Sequence, residues 1–227
     1  MRSLIGGRHG RGGGGHDHQT SGKLLDRGWR YDAEVWLFDT FAMRGQIGQL
    51  RRRVVDLAAI GAGRRLLDVG CGTGTLAILA ARLGGSGAQV SGIDPAPRQI
   101  ARAQAKARRA GLDIDFRQGM IENLPFDEAS VDVVTSTLMM HHLPDDLKAK
   151  GLAEIRRVLK PGGRVVIADF AGSDHTHDDS TDDQTEQVTL AELVAAAGFI
   201  DRQTDHITFP REAHGWSGAS LTYASKP

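Results

Sequence analysis

The chain has 227 residues, enough for one α/β domain with additions and too few for two full domains. Lys plus Arg and Asp plus Glu each number 28, so the formal charge is zero, without the basic excess by which nucleic-acid binders attract phosphate. A hydrophobic fraction of 40% supports a core, the single cysteine (Cys71) excludes an internal disulfide or a cysteine-cluster metal site, and no apolar run reaches the length of a membrane span.

Residues 1–22 hold eight of the 29 glycines and almost no large apolar side chain, which predicts a disordered Gly/His-rich tail. Its His9, His16 and His18 sit in a loose tract of the kind that lacks a fixed metal site. The apolar part of its start is too short for a secretory signal, so the chain is expected to be soluble and cytoplasmic, with no stable membrane insertion. From Lys23 the composition reverses. Trp29, Tyr31, Trp36, Phe38 and Phe41 are five of the twelve aromatics, in a segment read as part of a helical cap over residues 23–63. Within the cap, Ile47, Leu50, Val54 and Leu57 recur at helical spacing over Gln46–Ile60. Arg51, Arg52 and Arg53 are interleaved there, which predicts an amphipathic helix with a polar outer face.

Beyond Gly63, β-type runs alternate with helical ones over a domain expected to fill 64–227. The predicted strands are Arg65–Val69, Gln89–Asp94, Asp113–Arg117, Val131–Thr137 and Arg164–Phe170. Helices are predicted at Thr75–Leu83, Ala96–Ala110 and Asp145–Leu159. Strands separated by helix-length crossovers imply a Rossmann-like, doubly wound, mostly parallel sheet. A helix at Thr189–Ala197 and strands at Phe199–Phe209 and Ala219–Ala224 complete it with an antiparallel edge pair.

Leu66-Leu67-Asp68-Val69-Gly70-Cys71-Gly72-Thr73-Gly74 reads as a buried strand, a glycine turn and the start of a helix. Glycines at 70, 72 and 74 permit turn conformations and a close ligand approach, and the helix start offers free N–H groups. Asp94 ends the next strand twenty residues on, where a carboxylate can accept both hydroxyls of an adenosine ribose. A dinucleotide fingerprint needs a third glycine at position 75, which here is Thr75, so an NAD-type oxidoreductase is the lesser reading.

LLDVGCGTG, GIDPAP, ENLPF, HHLPD and LKPGGRVVIADF together resemble the successive motifs of class I S-adenosylmethionine-dependent methyltransferases, in the group that includes quinone-biosynthesis and small-molecule enzymes. The resemblance covers roughly residues 64–200. It implies a seven-stranded sheet with the last strand antiparallel, and S-adenosyl-L-methionine as cofactor. Gly70, Gly72 and Gly74, with Cys71 between them, are then expected to face the methionyl part. Asp68 holds its amino group, Asp94 takes the ribose, and Thr137 and Leu138 border the methionyl end. Tyr31-Asp32 resembles a motif that closes over the cofactor. Relatives commonly carry an aspartate where this chain has Met120, the aspartate binding the adenine amino group. Either Glu122 substitutes, or backbone groups near Ile121 and packing hold the adenine, and weaker cofactor affinity is implied.

The implied activity is O- or C-methylation of an apolar or aromatic small molecule, with a non-catalytic cofactor-binding protein as the alternative. For a hydroxyl acceptor the candidate base is His142, which follows the fourth strand, with Asp169 at the end of the fifth orienting its imidazole. The structural alternative makes His142 a strand terminator and Asp169 a turn residue. His141 is a weaker candidate because its neighbour changes face. Cys71 has no nearby His in sequence and reads as a small filler. Arg98, Arg102, Lys106 and Arg109 form a basic stripe, most simply a solvated face. Nine acidic residues and no Lys or Arg fall between Val165 and Asp201. Within that region Ser173–Thr185, with its His175-x-His177-x-Asp179 spacing, reads as a solvated acidic lid disfavouring anionic acceptors rather than a metal site. Nothing in the sequence sets the oligomeric state.

Overall fold

The structure, a computed structural model, describes residues 26, 28–39, 44–171, 189–213 and 216–227. The Gly/His-rich tail, Phe41 and the acidic segment 173–185 with His175, His177 and Asp179 lie outside them. In chain order the elements are α1 (Trp29–Leu37), α2 (Gln46–Ala58), β1 (Arg65–Val69), α3 (Thr75–Leu83), β2 (Gln89–Asp94), α4 (Pro97–Arg109), β3 (Asp115–Gln118) and β4 (Val131–Thr137). Then come a 3-10 turn (Met140–His142), α5 (Asp145–Val158), β5 (Leu159–Ala171), α6 (Leu190–Ala196), β6 (Ile200–Ala213) and β7 (Trp216–Ser225).

The strands form one seven-stranded sheet in the order β3-β2-β1-β4-β5-β7-β6. Neighbours from β3 to β5 pair in parallel, and β7 runs antiparallel to both β5 and β6. Side chains that alternate along each strand feed two cores. Leu66, Val133 and Val166 pack with α2, α3 and α4 on one face; Leu67, Val134 and Val165 pack with α5 and α6 on the other. Leu50 and Val54 of α2 are fully buried in the first of these cores, so the cap shares the core of the sheet.

Local chemistry explains the helix ends. Pro97 opens α4, where a missing N–H costs nothing, and Gly111 follows its end at φ 65°. Thr189 and Glu192 form a reciprocal capping box on α6, with Thr189 N–H donating to Glu192 Oε2 at 2.7 Å. Within the expected helical cap the aromatic segment forms the short helix α1, while several strand bounds depart from the sequence reading: β6 runs on to Ala213 and β7 begins at Trp216. β3 begins at Asp115, two residues later than expected. β5 begins at Leu159 rather than Arg164, because Leu159 already pairs with Val131 before a register shift absorbs the turn at Gly162, φ 72°.

Strand order reverses between β1 and β4, β1 being flanked by β2 on one side and β4 on the other. In a doubly wound sheet the crevice at the carboxyl ends of two such strands is where a ligand can enter.

Candidate functional site

A cleft of about 1070 Å³, counting its open mouth, lies at that reversal, floored by the carboxyl ends of β1, β2 and β4 and roofed by Tyr31 of α1. Its floor is the loop leaving β1. Cys71 N–H donates to the Ile93 carbonyl at 2.8 Å and Gly72 N–H to Asp94 Oδ2 at 2.9 Å, so the loop is laced to β2. Gly70 has φ 70°, and a Cβ there would stand 2.4 Å from Met139 Cγ, so only glycine fits. A Cβ on Gly72 would meet nothing closer than Tyr31 Cε1 at 3.9 Å, which leaves open space between loop and roof. Gly74 differs from the expectation placed on it. It is absent from the cleft lining, and a Cβ there would strike Phe116 Cζ at 2.6 Å and Ala103 Cβ at 2.9 Å. Its role is to let the start of α3 pack closely on β3 and α4.

Charges are distributed along this floor. Asp94 Oδ1 accepts the Ala96 N–H at 2.9 Å while Oδ2 holds Gly72, leaving each oxygen capacity for a further donor. Burial raises the Asp94 carboxyl above its ordinary range, with the two N–H groups opposing. Asp68 is 2% exposed and accepts from Thr135 Oγ1 at 2.9 Å. Burial pushes its carboxyl up to about 7, against the Thr135 hydrogen bond and the field of Arg51. Arg51 lies in the same cleft, its guanidinium lowered from its ordinary value by burial but still a cation. The helical pattern of α2 had put Arg51 with Arg52 and Arg53 on a polar outer face; the fold turns it inward beneath α1. Thr137 Oγ1 and Glu122 Oε2 are buried cleft atoms with no hydrogen-bond partner among the described residues. Ile121 and Leu138 complete the lining, Leu138 at φ 55° with its N–H on the Ala168 carbonyl at 2.8 Å. Cys71 is buried and its thiol is raised well above the usual range by desolvation, as suits an inert filler.

The roof is tied down by residues that the sequence reading had assigned to a solvated stripe. Asp32 accepts from Thr73 Oγ1 at 2.5 Å, Arg102 Nε at 2.6 Å and Lys106 Nζ at 3.0 Å. Lys106 also donates to Thr73 and Thr75, at 3.1 and 2.9 Å. Arg102 and Lys106 therefore latch α1 onto the glycine loop.

At the other end of the cleft the pairing expected between His142 and Asp169 is not formed. Asp169 Oδ2 accepts the backbone N–H of His141 at 2.9 Å, and Oδ1 lies 2.6 Å from His141 Nδ1. The reason is the 3-10 turn. Successive residues in it are rotated by about 120°, so His141 faces β5 while His142 faces the cleft. The two rings meet at a tilt of 51° with centroids 3.9 Å apart, and Phe170 stands 5.5 Å from His141, with Phe209 a further ring away at 6.3 Å. A carboxylate is acceptor-only, so it places the hydrogen on His141 Nδ1 and leaves Nε2 as the basic nitrogen.

The cleft fits a zwitterionic nucleoside. Asp68 and Arg51 match an ammonium and a carboxylate, Asp94 a pair of ribose hydroxyls, and the partnerless Thr137 and Glu122 oxygens offer further contacts. Comparisons with known proteins agree. Residues 66–163 match the family model described as a methyltransferase domain. The chain is 42% identical over 120 residues to the demethylmenaquinone methyltransferase of Thermus thermophilus, covering 53% of each. It is 32% identical over 160 residues to the 27-O-demethylrifamycin SV methyltransferase of Amycolatopsis mediterranei, covering 69% of this chain and 57% of that one. It thus spans less than two thirds of the length of these relatives. Among solved structures, that of the 4+2 cyclase SpnF superposes with a TM-score of 0.63 at 25% identity, covering 79% of this chain and 80% of SpnF. Glycine loop, the acid at the end of β2 and sheet order agree with the family match, and residues 66–163 form a methyltransferase domain of the class I, S-adenosylmethionine-dependent type.

Proposed function

We propose that the protein methylates an apolar or aromatic small molecule bearing a hydroxyl group, at oxygen or at a ring carbon activated by that oxygen, with His141 as the base. The observation that carries the reading is the Asp169–His141 pair, one ring removed from the cleft wall at His142. S-adenosylmethionine, when bound, supplies an electrophilic methyl group on a sulfonium. Arg51 and Asp68 hold its amino-acid end, Asp94 its ribose, and Tyr31 closes the roof and keeps water out. Asp169 fixes the His141 ring and stabilises the imidazolium that forms when Nε2 takes the acceptor's proton. The oxygen left behind is anionic; on an aromatic ring that charge spreads to carbon, so the same deprotonation opens both O- and C-methylation, and at carbon the ring C–H proton then moves to the oxygen to restore the aromatic ring. Phe170 and Phe209 are buried in the core behind His141 and back its ring from the side of β5. The relatives named for menaquinone and rifamycin substrates support that acceptor class. No helix among the described residues is long and apolar enough to cross a membrane.

Labelled-methyl transfer across a panel of phenols, hydroxyquinones, sugars and polyketides tests the reading. Label is expected in a phenolic or quinol product. A general base contributes about 10²–10⁴-fold, so His141→Ala is expected to slow single turnover by at least about 100-fold with S-adenosylhomocysteine affinity unchanged. His142→Ala should instead weaken the cofactor and slow turnover only a few-fold. A His141→Ala rate within a few-fold of wild type at saturating acceptor removes the base role. Tight S-adenosylhomocysteine binding with every acceptor left unlabelled favours the non-catalytic alternative.

A further inference from the structure

A second concavity, about 1000 Å³ counting its open mouth, lies where α2, α3 and α4 meet, and it shares Arg51 and Thr75 with the cofactor cleft. Among the described residues its walls carry four cations and no carboxylate: Arg51 of α2, Arg82 of α3, and Lys106 and Arg109 of α4. Thr75, Ile78 and Arg82 fall at i, i+3 and i+7 of α3, which turns them to one side of that helix. Arg82 and Arg109 each lie in the last turn of their helix, where a cation complements the carbonyl end, and helix packing brings both to one groove. Both are exposed, and neither donates a hydrogen bond or joins an ion pair among the described residues. Lys106 is fixed instead, its Nζ held by Asp32, Thr73 and Thr75. Burial lowers its ammonium from the ordinary value; Asp32 opposes this, and the fields of Arg102 and Arg51 add to it. The groove therefore has two guanidinium groups free to bind and two fixed cations beside them, a field that draws in anions. Each guanidinium presents a fork of N–H donors that matches the oxygens of a phosphoryl group.

We propose that this groove is an effector site for a small phosphomonoester: Arg82 and Arg109 grip its terminal, dianionic phosphoryl group, and Arg51, common to groove and cleft, couples the site negatively to the cofactor. The coupling rests on the cofactor reading above, in which Arg51 meets the carboxylate of the amino-acid end; the phosphoryl site itself does not. A dianion in the groove and that carboxylate draw on one guanidinium and repel each other, so each weakens the other by the same factor. A phosphodiester carries a single charge on each phosphorus and has fewer free oxygens for the two forks, so the internal diphosphate of a dinucleotide is a poor occupant.

Inorganic phosphate, chiefly a dianion just above neutral pH, is the probe, titrated calorimetrically into the full chain at constant ionic strength, with dimethyl phosphate as the monoanionic comparison. Wild type is expected to bind phosphate at least about tenfold more tightly than dimethyl phosphate, and the Arg82→Gln/Arg109→Gln double variant to lose at least about tenfold in phosphate affinity. Both arginines are exposed and outside the cofactor cleft, so the double variant should keep its fold and its phosphate-free affinity for S-adenosylhomocysteine. Saturating phosphate should raise the S-adenosylhomocysteine dissociation constant of wild type about fivefold or more and leave that of the double variant unchanged. No phosphate binding, equal affinity in wild type and double variant, or equal binding of the two probes by wild type overturns the site. Displacement of phosphate by vesicles containing phosphatidic acid but not by glycerol 3-phosphate overturns the soluble occupant in favour of a lipid head group. Phosphate bound through Arg82 and Arg109 with S-adenosylhomocysteine affinity unchanged overturns the coupling through Arg51. If folded wild type binds no S-adenosylhomocysteine at all, the cofactor reading falls, while the phosphate titrations still decide the groove.

Discussion

Asp68 is the buried carboxyl in the cleft on which solvent exclusion acts most directly. Its carboxyl is buried against β4 with one hydroxyl donor, and desolvation raises it from 3.8 to about 7. In the free protein the folded state therefore holds a proton between those values that the unfolded chain has lost. The associated stability is fully present below about pH 4 and is lost as pH rises through 7. A ligand ammonium reverses the balance, because it needs the carboxylate. S-adenosylhomocysteine affinity should therefore rise about tenfold between pH 6 and pH 8, with proton release that shows as a buffer-dependent binding heat. Asp68→Asn should flatten both. An affinity independent of pH in wild type would mean that Asp68 stays ionised in the free cleft or does not meet the ligand.

At the scale of elements, α1 is the piece whose attachment decides cofactor exchange. Burial alone would raise the Asp32 carboxyl, yet hydrogen bonds from Thr73, Arg102 and Lys106 hold it below the ordinary range, so the latch is charged at neutral pH. The side chains of Asp32, Arg102 and Lys106 are 20, 29 and 23% exposed, so salt reaches them only partly. Asp32→Asn should raise the S-adenosylhomocysteine dissociation rate roughly tenfold, the scale of one lost charge-assisted contact network, in stopped-flow displacement. An unchanged rate would show that α1 does not gate the cleft. This latch also marks the limit of what the sequence discloses. β1, β2, β4 and α3 fall within their predicted bounds because strand composition, glycine and apolar spacing act locally. The glycine loop and Asp94 are legible for the same reason. The latch joins Asp32 to Arg102 and Lys106, 70 and 74 positions away, so both cations look solvated until α1 is laid across them. Arg51 hides likewise, since a helical pattern marks one apolar face and does not say what covers the rest. The exchange of His142 for His141 at Asp169 depends on a three-residue 3-10 turn, and adjacent histidines carry no sign of which faces β5.

At the scale of the molecule, the cleft draws on α1, α2, the ends of β1, β2 and β4, and the turn after β3, so a ligand there ties the cap to the sheet. Such a ligand stabilises the folded state by mass action, about 2.7 kcal/mol at a hundred times its dissociation constant. For a chain of this size that corresponds to a rise of roughly 5–10 °C in Tm. The same fold argues against a dinucleotide as the ligand. Where a pyrophosphate would need a bare glycine turn, Thr75 Oγ1 is held by Lys106 at 2.9 Å, and the Asp32 carboxylate sits against Thr73 beside it. A second phosphate would meet the Thr75 side chain where a dinucleotide fingerprint has glycine, at a spot whose donors are already committed to Asp32, Thr73 and Thr75. S-adenosylhomocysteine should therefore raise Tm by that amount while NAD at the same concentration leaves it unmoved, and the ordering should persist in Arg102→Ala, where the latch is weakened but the glycine loop is intact. A Tm increase with NAD equal to or above that with S-adenosylhomocysteine would mean that the loop accommodates a pyrophosphate after all and that Asp32 and Thr75 do not bar it.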